Sequence, residues 1–408
     1  CTRLACTEAS TEPNVPTANI ARDAAGYELP SPGVWLLGDL HVHATGASND
    51  TGGDSHPTAI AEQAKDMGLD FVVLTDHSNS TGSDPSTREE DPVLFNQGPE
   101  FVYWSEAAAL TRPGEFWVVS GNEISPVSAD DDLNTPRGHI GCLPTSLVNF
   151  DTDSAFIDRP KGMVTGGEAL QQALARGCFT IVNHPYAITP WVAYDWTHMG
   201  YQGMEVWNGS GGGYDLYDQQ GYDAWRCDQL AGRAVTPIAA SDNHRIHTPA
   251  PGEVLHPALG WPTTAVWVAE RSWAGIIAGL QSAQVALFEG DSRLYLDGYD
   301  SDKRHAKGNE IYILRVRGTL DTQSVLSGKL RVHHATSCED PRPTPLTPVS
   351  ITETILLDTI IEAGESFDIA VPIEGHPGVY SATLLTNTPT EIVGSRYAAL
   401  SKGVVIPP

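Results

Sequence analysis

Between about residues 34 and 290, short apolar runs alternate with amphipathic helical segments, and this alternation limits the folds open to the chain more than any other feature. Seven runs have the length and composition of buried strands: Val34–Gly38, Phe71–Thr75, Phe116–Ser120, Phe179–Val182, Gly203–Val206, Ala234–Ala239 and Thr264–Val268. Helical patterns occupy Thr58–Met67, Gly167–Arg176, Gly221–Leu230 and Ser272–Leu280. Strands alternating with helices are typical of parallel βα units, and seven such strands can close a TIM-like barrel. The sequence therefore predicts an α/β fold built on a (β/α)7 barrel.

Beyond about residue 310 the pattern changes to short strands separated by Gly, Pro, Asp and Ser, as in Ile311–Arg317 and Val379–Leu385. Such a pattern is typical of an antiparallel sheet. The predicted organisation is an N-terminal tether over residues 1–30, the barrel over 31–300, and a small, β-sandwich-like accessory domain over 308–408.

The first residues run from Cys1 through Cys6 into a Thr/Glu/Ser/Pro-rich stretch typical of a tether. A chain that begins with cysteine resembles a bacterial lipoprotein with a lipid anchor on Cys1; a Cys1/Cys6 disulfide or an arbitrary boundary are the alternatives. We expect an exported protein, in the bacterial cell envelope, the periplasm or the extracellular space. Cys142 and Cys178 are either bridged or buried thiols. No apolar run approaches the roughly 18 residues of a transmembrane segment.

Histidines and carboxylates follow the predicted strands. Because the C-terminal ends of parallel strands meet at one rim of a barrel, these side chains are expected to lie together. Each motif alone is also compatible with a surface pair, a helix cap or a turn. Together they place about six imidazoles and three carboxylates on one face, a donor set that suits Zn, Mn or Fe. The candidate metal ligands are His41, His43, Asp76, His77, Glu123, His139, His184, Asp242 and His244.

The ordered series His41-x-His43, Thr75-Asp76-His77, Gly121-Asn-Glu123, Gly138-His139, His184-Pro185 and Ser241-Asp242-Asn-His244 resembles the PHP (polymerase and histidinol phosphatase) superfamily. Glu205-Val-Trp-Asn208 and the general spacing are most similar to its carbaryl-hydrolase-like branch. The resemblance covers about residues 34 to 290 and leaves the C-terminal region outside. It implies that the seven-stranded barrel is distorted and that it holds two or three divalent metal ions.

The resemblance also implies how the ligands are shared. His41, His43 and Asp242 would hold one ion, His139 and His184 a second, and Glu123 would bridge both. His77 and His244 would serve a third site. Many relatives have a further histidine where this chain has Asn49, so either Asp50 substitutes as a ligand or the third site is weak or empty.

Two cations about 3.5 to 4 Å apart lower the pKa of a bridging water and clamp both attacking and leaving oxygens. The leading hypothesis is a metal-dependent phosphoesterase that hydrolyses a small phosphate ester with a metal-bridging hydroxide. Its catalytic residues would be His77, Glu123 and His244. Substrate contacts are predicted for Arg137, Arg245 and Asn208, the arginines at phosphoryl oxygens.

Two other functions are compatible with the same residues. A carboxyl or carbamate ester or amide hydrolase would use the same metal centre, and an aromatic-rich stretch from Tyr186 to Trp225 would line its pocket. An envelope-tethered binding module would keep the metal without catalysis. Serine hydrolase chemistry has no support, since we find no Gly-x-Ser-x-Gly motif.

The net charge of the chain limits the classes of molecule that it can bind. The chain has 24 basic and 51 acidic residues, a net charge of −27, so a basic nucleic-acid footprint is absent and a small-molecule ester is the expected substrate. A phosphate ester would meet an unfavourable field unless bound cations reverse its sign locally. Glu123, Asp242 and Asp50 would be the carboxylates that such cations neutralise.

Overall fold

The computed structural model describes fifteen stretches of the chain. They are residues 33–44, 48, 51, 55–77, 104–124, 138–152, 166–186, 200–209, 214–246, 257–300, 312–321, 327–342, 348–373, 376–386 and 396–406. Within them lie five helices and eighteen strands. The predictions for Cys1, Cys6, Asn49, Asp50 and Arg137 fall outside these stretches, as does the predicted tether.

The helices are α1 Pro57–Asp66, α2 Trp104–Leu110, α3 Gly166–Arg176, α4 Leu216–Leu230 and α5 Trp273–Gln281. The strands up to residue 300 are β1 Val34–Val42, β2 Phe71–Leu74, β3 Trp117–Ser120, β4 Asn122–Ile124, β5 His139–Pro144, β6 Cys178–Asn183, β7 Gly203–Asn208, β8 Thr236–Ala240, β9 Thr263–Val268, β10 Val285–Phe288 and β11 Arg293–Asp300. The remaining strands are β12 Tyr312–Thr319, β13 Ser327–Glu339, β14 Ser350–Glu362, β15 Ser366–Ile373, β16 Gly378–Thr386, β17 Arg396–Ser401 and β18 Val404–Ile406.

The seven predicted strands are confirmed as elements: they overlap β1, β2, β3, β6, β7, β8 and β9. The four predicted helices overlap α1, α3, α4 and α5. Helix α2, between β2 and β3, is not among the predicted elements. Apolar run length and 3.6-residue periodicity are therefore sufficient to find most elements of this half of the chain.

The predicted barrel, a distorted seven-stranded (β/α)7 barrel, is wrong. Over the described stretches the strands form three open sheets, mostly mixed or antiparallel, and none of them closes. One sheet has the order β14-β13-β16-β17-β10-β9-β1-β2-β3, with β18 paired to β16; a second has the order β4-β5-β6-β7-β8; the third is β11-β12-β15.

Two features break the parallel succession. The short strand β4 and strand β5 come between β3 and β6, and β5 runs antiparallel to both β4 and β6. Strand β9 then returns antiparallel to β1, so the last strand of the predicted barrel cannot extend a parallel ring. Parallel pairing survives in two groups, β1-β2-β3 and β6-β7-β8.

The two parallel groups nevertheless meet at their C-terminal ends. Val42 forms a parallel bridge with Asn243, and His77 forms one with Glu123. The His43 amide donates to the Asn243 carbonyl at 2.9 Å, and the Glu123 amide donates to the Asp76 carbonyl at 2.9 Å. These backbone contacts bring together the strand ends that a closed barrel would have collected.

The C-terminal strands β12 to β18 pair antiparallel with their neighbours, and β17 also pairs with β10. The largest sheet therefore contains strands from both sides of residue 308. The division into tether, hydrolase domain and accessory domain stays a prediction. No helix in the described part of the chain is both long and apolar enough to cross a membrane.

Helix α4 connects the site to the C-terminal strands. It begins with a capping box, in which Asp215 accepts from the Asp218 amide and Asp218 accepts from the Asp215 amide. Asp218 also accepts from the Asn208 amide at 2.9 Å, which fixes the helix start to the end of β7. On the buried side of the helix, Tyr222 donates to Ser381 of β16 at 2.8 Å.

Two disulfides cross-link the fold, Cys142–Cys178 between β5 and β6 and Cys227–Cys338 between α4 and β13. Their sequence separations are 36 and 111 residues. In the chain-entropy description the longer loop gives the larger stabilisation, about 1 kcal/mol more.

We therefore expect the double variant C227S/C338S to lose about 1 kcal/mol more unfolding free energy than C142S/C178S, measured by urea denaturation. Equal losses, or a larger loss for C142S/C178S, would contradict this order.

A charged contact joins α4 to β14. Arg226 pairs with Glu353, and His333 lies 3.3 Å from the same carboxylate. Partial burial raises the pKa of Glu353, but the hydrogen bonds and charges of His333 and Arg226 outweigh burial and lower it to about 2.

A lowered carboxyl pKa contributes stability above the ordinary value near 4.5, and this contribution is lost as pH falls toward 2. The Glu353→Gln variant should therefore be less stable than the parent at pH 6, and the difference should shrink progressively below pH 4. Urea midpoints at pH 6 and pH 3 measure this. Glu362→Gln, at the exposed end of the same strand, is the matched control. A stability difference that is the same at both pH values would exclude this role for Glu353.

Candidate metal centre

The site is organised around the Glu123 carboxylate on β4, which is 1% exposed. Its Oε1 lies 3.1 Å from His41 Nε2, 2.9 Å from His139 Nδ1 and 3.1 Å from His184 Nε2. Its Oε2 lies 3.0 Å from His77 Nδ1 and 3.5 Å from His43 Nε2. Five imidazoles, from β1, β5 and the ends of β2 and β6, thus surround one carboxylate.

Histidines 41 and 43 stand at the C-terminal end of β1, where the pairing with β2 shifts register between Asp39 and Val42. A register shift re-aims the side chains that follow it, as β-bulges do beside active sites. The Nε2 atoms of His41 and His43 are 3.1 Å apart. Asp242 Oδ1 lies 3.3 Å from the first and 3.2 Å from the second.

Two of the site residues have left-handed backbones without being glycine. His184 has a φ of 26° and Asp242 a φ of 55°. Such conformations are costly for L-residues and persist where the surroundings impose them, often at functional sites. Here they occur at the strand ends of β6 and β8, where both side chains turn toward Glu123 and β1.

Four overlapping groups of side chains have ligand atoms close enough to share an ion. These groups are His41–His43–Glu123, His41–His184–Asp242, His77–Glu123–His139 and His43–His77–His244. Eight of the ten candidate ligands predicted from the sequence are brought together in this way. His244 also stacks on His43, with ring centroids 4.0 Å apart.

The tautomers of the two deepest histidines can be assigned from their partners. Glu205 can only accept, so His41 Nδ1 donates to it at 3.1 Å. Ser48 donates its single hydroxyl hydrogen to Asp76 at 2.9 Å and therefore accepts from His43 Nδ1, also at 2.9 Å. For both rings, Nε2 is then the atom turned toward Glu123 and Asp242.

This donor set fits a divalent cation. The two Nε2 atoms lie 3.1 Å apart, and each lies within 3.5 Å of a carboxylate oxygen of Glu123 and of Asp242. Such a cluster requires positive charge between its members. Imidazole and carboxylate without thiolate are ligands for zinc, manganese or iron.

The ionisation of the site agrees with this role. Burial raises the pKa values of Glu123 and Asp242, but the surrounding imidazoles outweigh burial and hold both well below the ordinary range. Burial, aided by His244, lowers the pKa of His43 to about 3, so this ring is neutral. Metal binding requires ionised carboxylates and neutral imidazoles.

The pKa of His41 moves the other way. Burial lowers it, but the charges of Asp242, Glu123 and Glu205 outweigh burial and raise it well above the ordinary value. Without a cation, a proton on His41 would supply part of the positive charge that the carboxylates need. A bound divalent ion would displace that proton.

A second group of polar residues supports the ligands. Glu205 on β7 holds the His41 ring and also accepts from the His184 amide at 2.7 Å and from Asn208 Nδ2 at 3.0 Å. Asn183 Nδ2 donates to Glu123 Oε1 at 2.9 Å. Supporting partners of this kind fix ligand orientation and basicity.

Asp39 stabilises the loop that carries Asp242. Its buried carboxylate accepts from the Ser241 amide at 3.1 Å, the Ser241 hydroxyl at 2.5 Å and the Gly260 amide at 2.7 Å. Burial raises the pKa of Asp39 to about 6 despite these hydrogen bonds. Asp39, Ser48 and Asn183 were not predicted, and Glu205 appeared only in the Glu205-Val-Trp-Asn208 motif, without a role. The other available signal was an acidic residue inside an apolar strand, which Glu205 and Asp39 share.

The structure places two other predicted residues, Asp76 and Asn208, behind the ligands and a third, Arg245, at the surface. Asp76 lies behind the ligands, where it accepts from the Ala44 amide at 2.7 Å and from Ser48. Asn208 is buried and donates to Glu205 and Asp242, so it supports the ligands instead of lining a substrate surface. Arg245 is exposed next to His244.

The aromatic-rich stretch is mostly core where it is described. Trp207 is 0% exposed, and Tyr222 and Trp225 are each 1% exposed within one hydrophobic cluster. Trp191, Tyr194 and Trp196 lie outside the described stretches. The described rings therefore pack in the interior, which is the commoner role of aromatic side chains.

No family model and no curated protein matches the chain. One similar solved structure is a two-domain protein from Bacteroides vulgatus containing a predicted PHP-like metal-dependent phosphoesterase. It is 18% identical, the match covers 92% of this chain and 97% of that one, and the TM-score is 0.45. Endonuclease Q, in complex with duplex DNA bearing an abasic lesion, is 15% identical over 61% of this chain and 57% of that chain, with a TM-score of 0.38.

PsfC from Pseudomonas syringae is 14% identical over 63% of this chain and 92% of that chain, with a TM-score of 0.37. The structure from Bacteroides vulgatus is described as PHP-like, the superfamily that the ordered motifs of this sequence resemble. The carbaryl-hydrolase-like branch is not confirmed.

The contacts of Glu205 predict a role in metal affinity. In Glu205→Gln the side chain keeps its size but loses its charge, and its NH2 end cannot accept, either from His41 Nδ1 or from the His184 amide and Asn208. We expect affinity for zinc or manganese to fall about 10- to 100-fold, measured by competition with a chromophoric chelator. Glu62→Gln, on the exposed side of α1, is the matched control. Affinities within twofold of the parent would show that Glu205 does not position the ligands.

Proposed function

We propose that the protein is a metal-dependent hydrolase that acts on a small phosphate ester. The observation that carries this proposal is the enclosure of Glu123 by five imidazoles, with Asp242 beside two of them. Two or three divalent ions, Zn, Mn or Fe, would be held by the four overlapping ligand groups. When bound, such ions would activate a water and stabilise negative charge on the phosphoryl oxygens.

The exposure of the ligands indicates the side from which substrate would enter. The side chains of His41, His43 and Glu123 are at most 2% exposed, and they form the floor. His77, His139, His184 and His244 are 11 to 15% exposed, and they form the rim. A substrate phosphoryl group would therefore meet these four imidazoles first.

His244 is suited to exchange a proton at this rim. Its Nδ1 donates to the Asp242 carbonyl at 2.9 Å, because a carbonyl oxygen can only accept. Its Nε2 is then the atom that would bind a cation or, when protonated, donate to a leaving oxygen. The neighbouring Arg245 would attract phosphoryl oxygens at the site entrance.

The second candidate is hydrolysis of a carboxyl or carbamate ester or amide at the same centre. Burial of Trp207, Tyr222 and Trp225 removes these rings from any described substrate surface, so this candidate has lost part of its support. The third candidate is a metal-containing binding module without catalysis. It is disfavoured because all eight described candidate ligands belong to groups that could hold an ion, so the described part of the site shows no lost ligand. The net charge of −27 opposes binding to nucleic acid.

The proposal predicts that hydrolysis depends on metal. Chelation should abolish turnover of p-nitrophenyl phosphate, and Mn, Fe or Zn should restore it. Glu123→Gln should lower kcat/KM by more than the 10- to 100-fold typical of losing a supporting residue, because it removes a charge shared by five imidazoles. Metal analysis of the purified protein would count the ions. Full activity in the stripped protein would exclude the proposal.

The same assay separates the alternatives. Side by side, p-nitrophenyl phosphate should be hydrolysed faster than p-nitrophenyl acetate and naphthyl carbamate. Preference for the acetate or the carbamate would favour the second candidate. No turnover of any ester by the metal-loaded protein would favour the binding module. Cleavage of duplex DNA with an abasic site would show that the charge argument is wrong.

We also propose that the protein works outside the reducing cytosol, as the sequence suggested. Cys142–Cys178 and Cys227–Cys338 support this location, because structural disulfides persist in oxidising compartments. The predicted lipid anchor on Cys1 remains a separate expectation.

A further inference from the structure

A cleft of about 350 Å³ lies between the β1–β9 pair and the three-stranded sheet. Its aromatic wall consists of the partly exposed Trp35, Trp267 and Tyr295, and the lining also includes the buried Phe367. Trp35 and Trp267 are direct cross-strand partners, with ring centroids 5.5 Å apart. Tyr295 on β11 packs 4.8 Å from Trp35. The volume is within the range of small-molecule sites, and all three rings are only partly buried.

The polar lining is mainly cationic. Arg293, Arg317 and Lys402 line the cleft together with one carboxylate, Asp297, a local charge of three minus one, or +2. Arg317 donates to Asp297 at 2.8 Å, and the Lys402 ammonium lies 3.7 Å from the same residue. One carboxylate is thus shared by two cations. In a chain of net charge −27, this is an unusual concentration of positive charge.

The lining is also held in place. The Lys402 ammonium donates to Gln284 at 2.9 Å, and burial lowers the pKa of this ammonium against the opposing effect of Asp297. The Arg293 guanidinium lies 3.9 Å from the Phe288 ring centroid and donates to two backbone carbonyls. Two carboxylates outside the lining, Asp291 and Asp321, also interact with the charge of Arg293. Lys402 and Arg317 are therefore the cations better placed to bind an anion in the cleft.

This cleft is separate from the metal centre. Trp35 stands near the start of β1, whereas His41 stands at its end. Six residues of extended strand span about 20 Å, at roughly 3.3 Å per residue. A small molecule in the cleft would therefore not reach the metal ligands.

We propose that the cleft is a second binding site, and that its ligand is a ring compound with an anionic substituent. The ring would pack against the aromatic wall formed by Trp35, Trp267 and Tyr295, since aromatic side chains favour flat or sugar-like apolar faces. The carboxylate, sulfonate or phosphate would be met by Lys402 and Arg317, which exceed Asp297 in charge. An aromatic acid and an acidic sugar share this chemistry.

Binding to the full-length protein by calorimetry tests the proposal with two matched pairs of probes. One pair is 2-naphthalenesulfonate against uncharged 2-naphthol, and the other is glucuronate against glucose. We expect the charged member of at least one pair to bind about tenfold more tightly than its neutral counterpart. The pair that shows this difference identifies the source as an aromatic acid or an acidic sugar. Chelation should leave this affinity unchanged.

Two variants connect binding to the cleft. Lys402→Gln removes one cation, and Trp267→Leu removes one aromatic side chain of the wall. Each variant should lower the affinity for the charged probe at least about fivefold. Lys329→Gln on β13 and Trp104→Leu on α2 make the same chemical changes outside the lining, and they should have no effect. Thermal melting checks that each variant is folded.

The proposal is overturned if neither charged probe binds, or if charged and neutral members bind equally. It is also overturned if folded Lys402→Gln and Trp267→Leu proteins bind like their controls. Loss of binding on chelation alone would place the probe at the metal centre instead.

Discussion

The arrangement at the strand ends depends on one constraint, the burial of the Glu123 carboxylate. An ionised group that is 1% exposed must be surrounded by positive charge or hydrogen-bond donors, because desolvation alone costs several kcal/mol. The fold meets this requirement with imidazoles from both parallel strand groups, with that of His139 on β5 and with the Asn183 amide. The backbone bridges Val42–Asn243 and His77–Glu123 therefore hold the sheets together and also position the residues of the site.

The strand and helix positions were predictable, whereas their assembly was not. Apolar run length locates a buried strand such as β6, but it does not tell whether a neighbour runs parallel or antiparallel. Strand β4 has three residues, too few to show any period, and β5 begins at a histidine that we interpreted only as a ligand. Together with α3 they lie between β3 and β6, so two antiparallel strands are added where a barrel would have only a helical crossover. The barrel prediction failed at this point.

The convergence of the candidate ligands was predictable, because imidazoles that follow successive strands meet at one edge, where such a cluster is rarely stable without a cation. The residues that orient them were harder to find. Glu205 and Asp39 are single acidic residues inside apolar strands, which indicates a buried partner but not its identity. Ser48 has no sequence signal at all, since its role depends on the contact between His43 and Asp76 across the fold. Sequence position shows which side chains reach a rim, and only packing shows which polar groups stand behind them.

The two proposed sites lie near opposite ends of β1 and solve the same electrostatic problem differently. A chain of net charge −27 repels small anions, so an anionic ligand requires a local excess of positive charge. At the cleft this excess is built into the chain, because Arg293, Arg317 and Lys402 outnumber Asp297. At the metal centre, Glu123, Asp242 and Glu205 make the surroundings acidic, and bound cations would have to reverse the sign. Anion binding at the rim is therefore conditional on metal, whereas anion binding at the cleft is not.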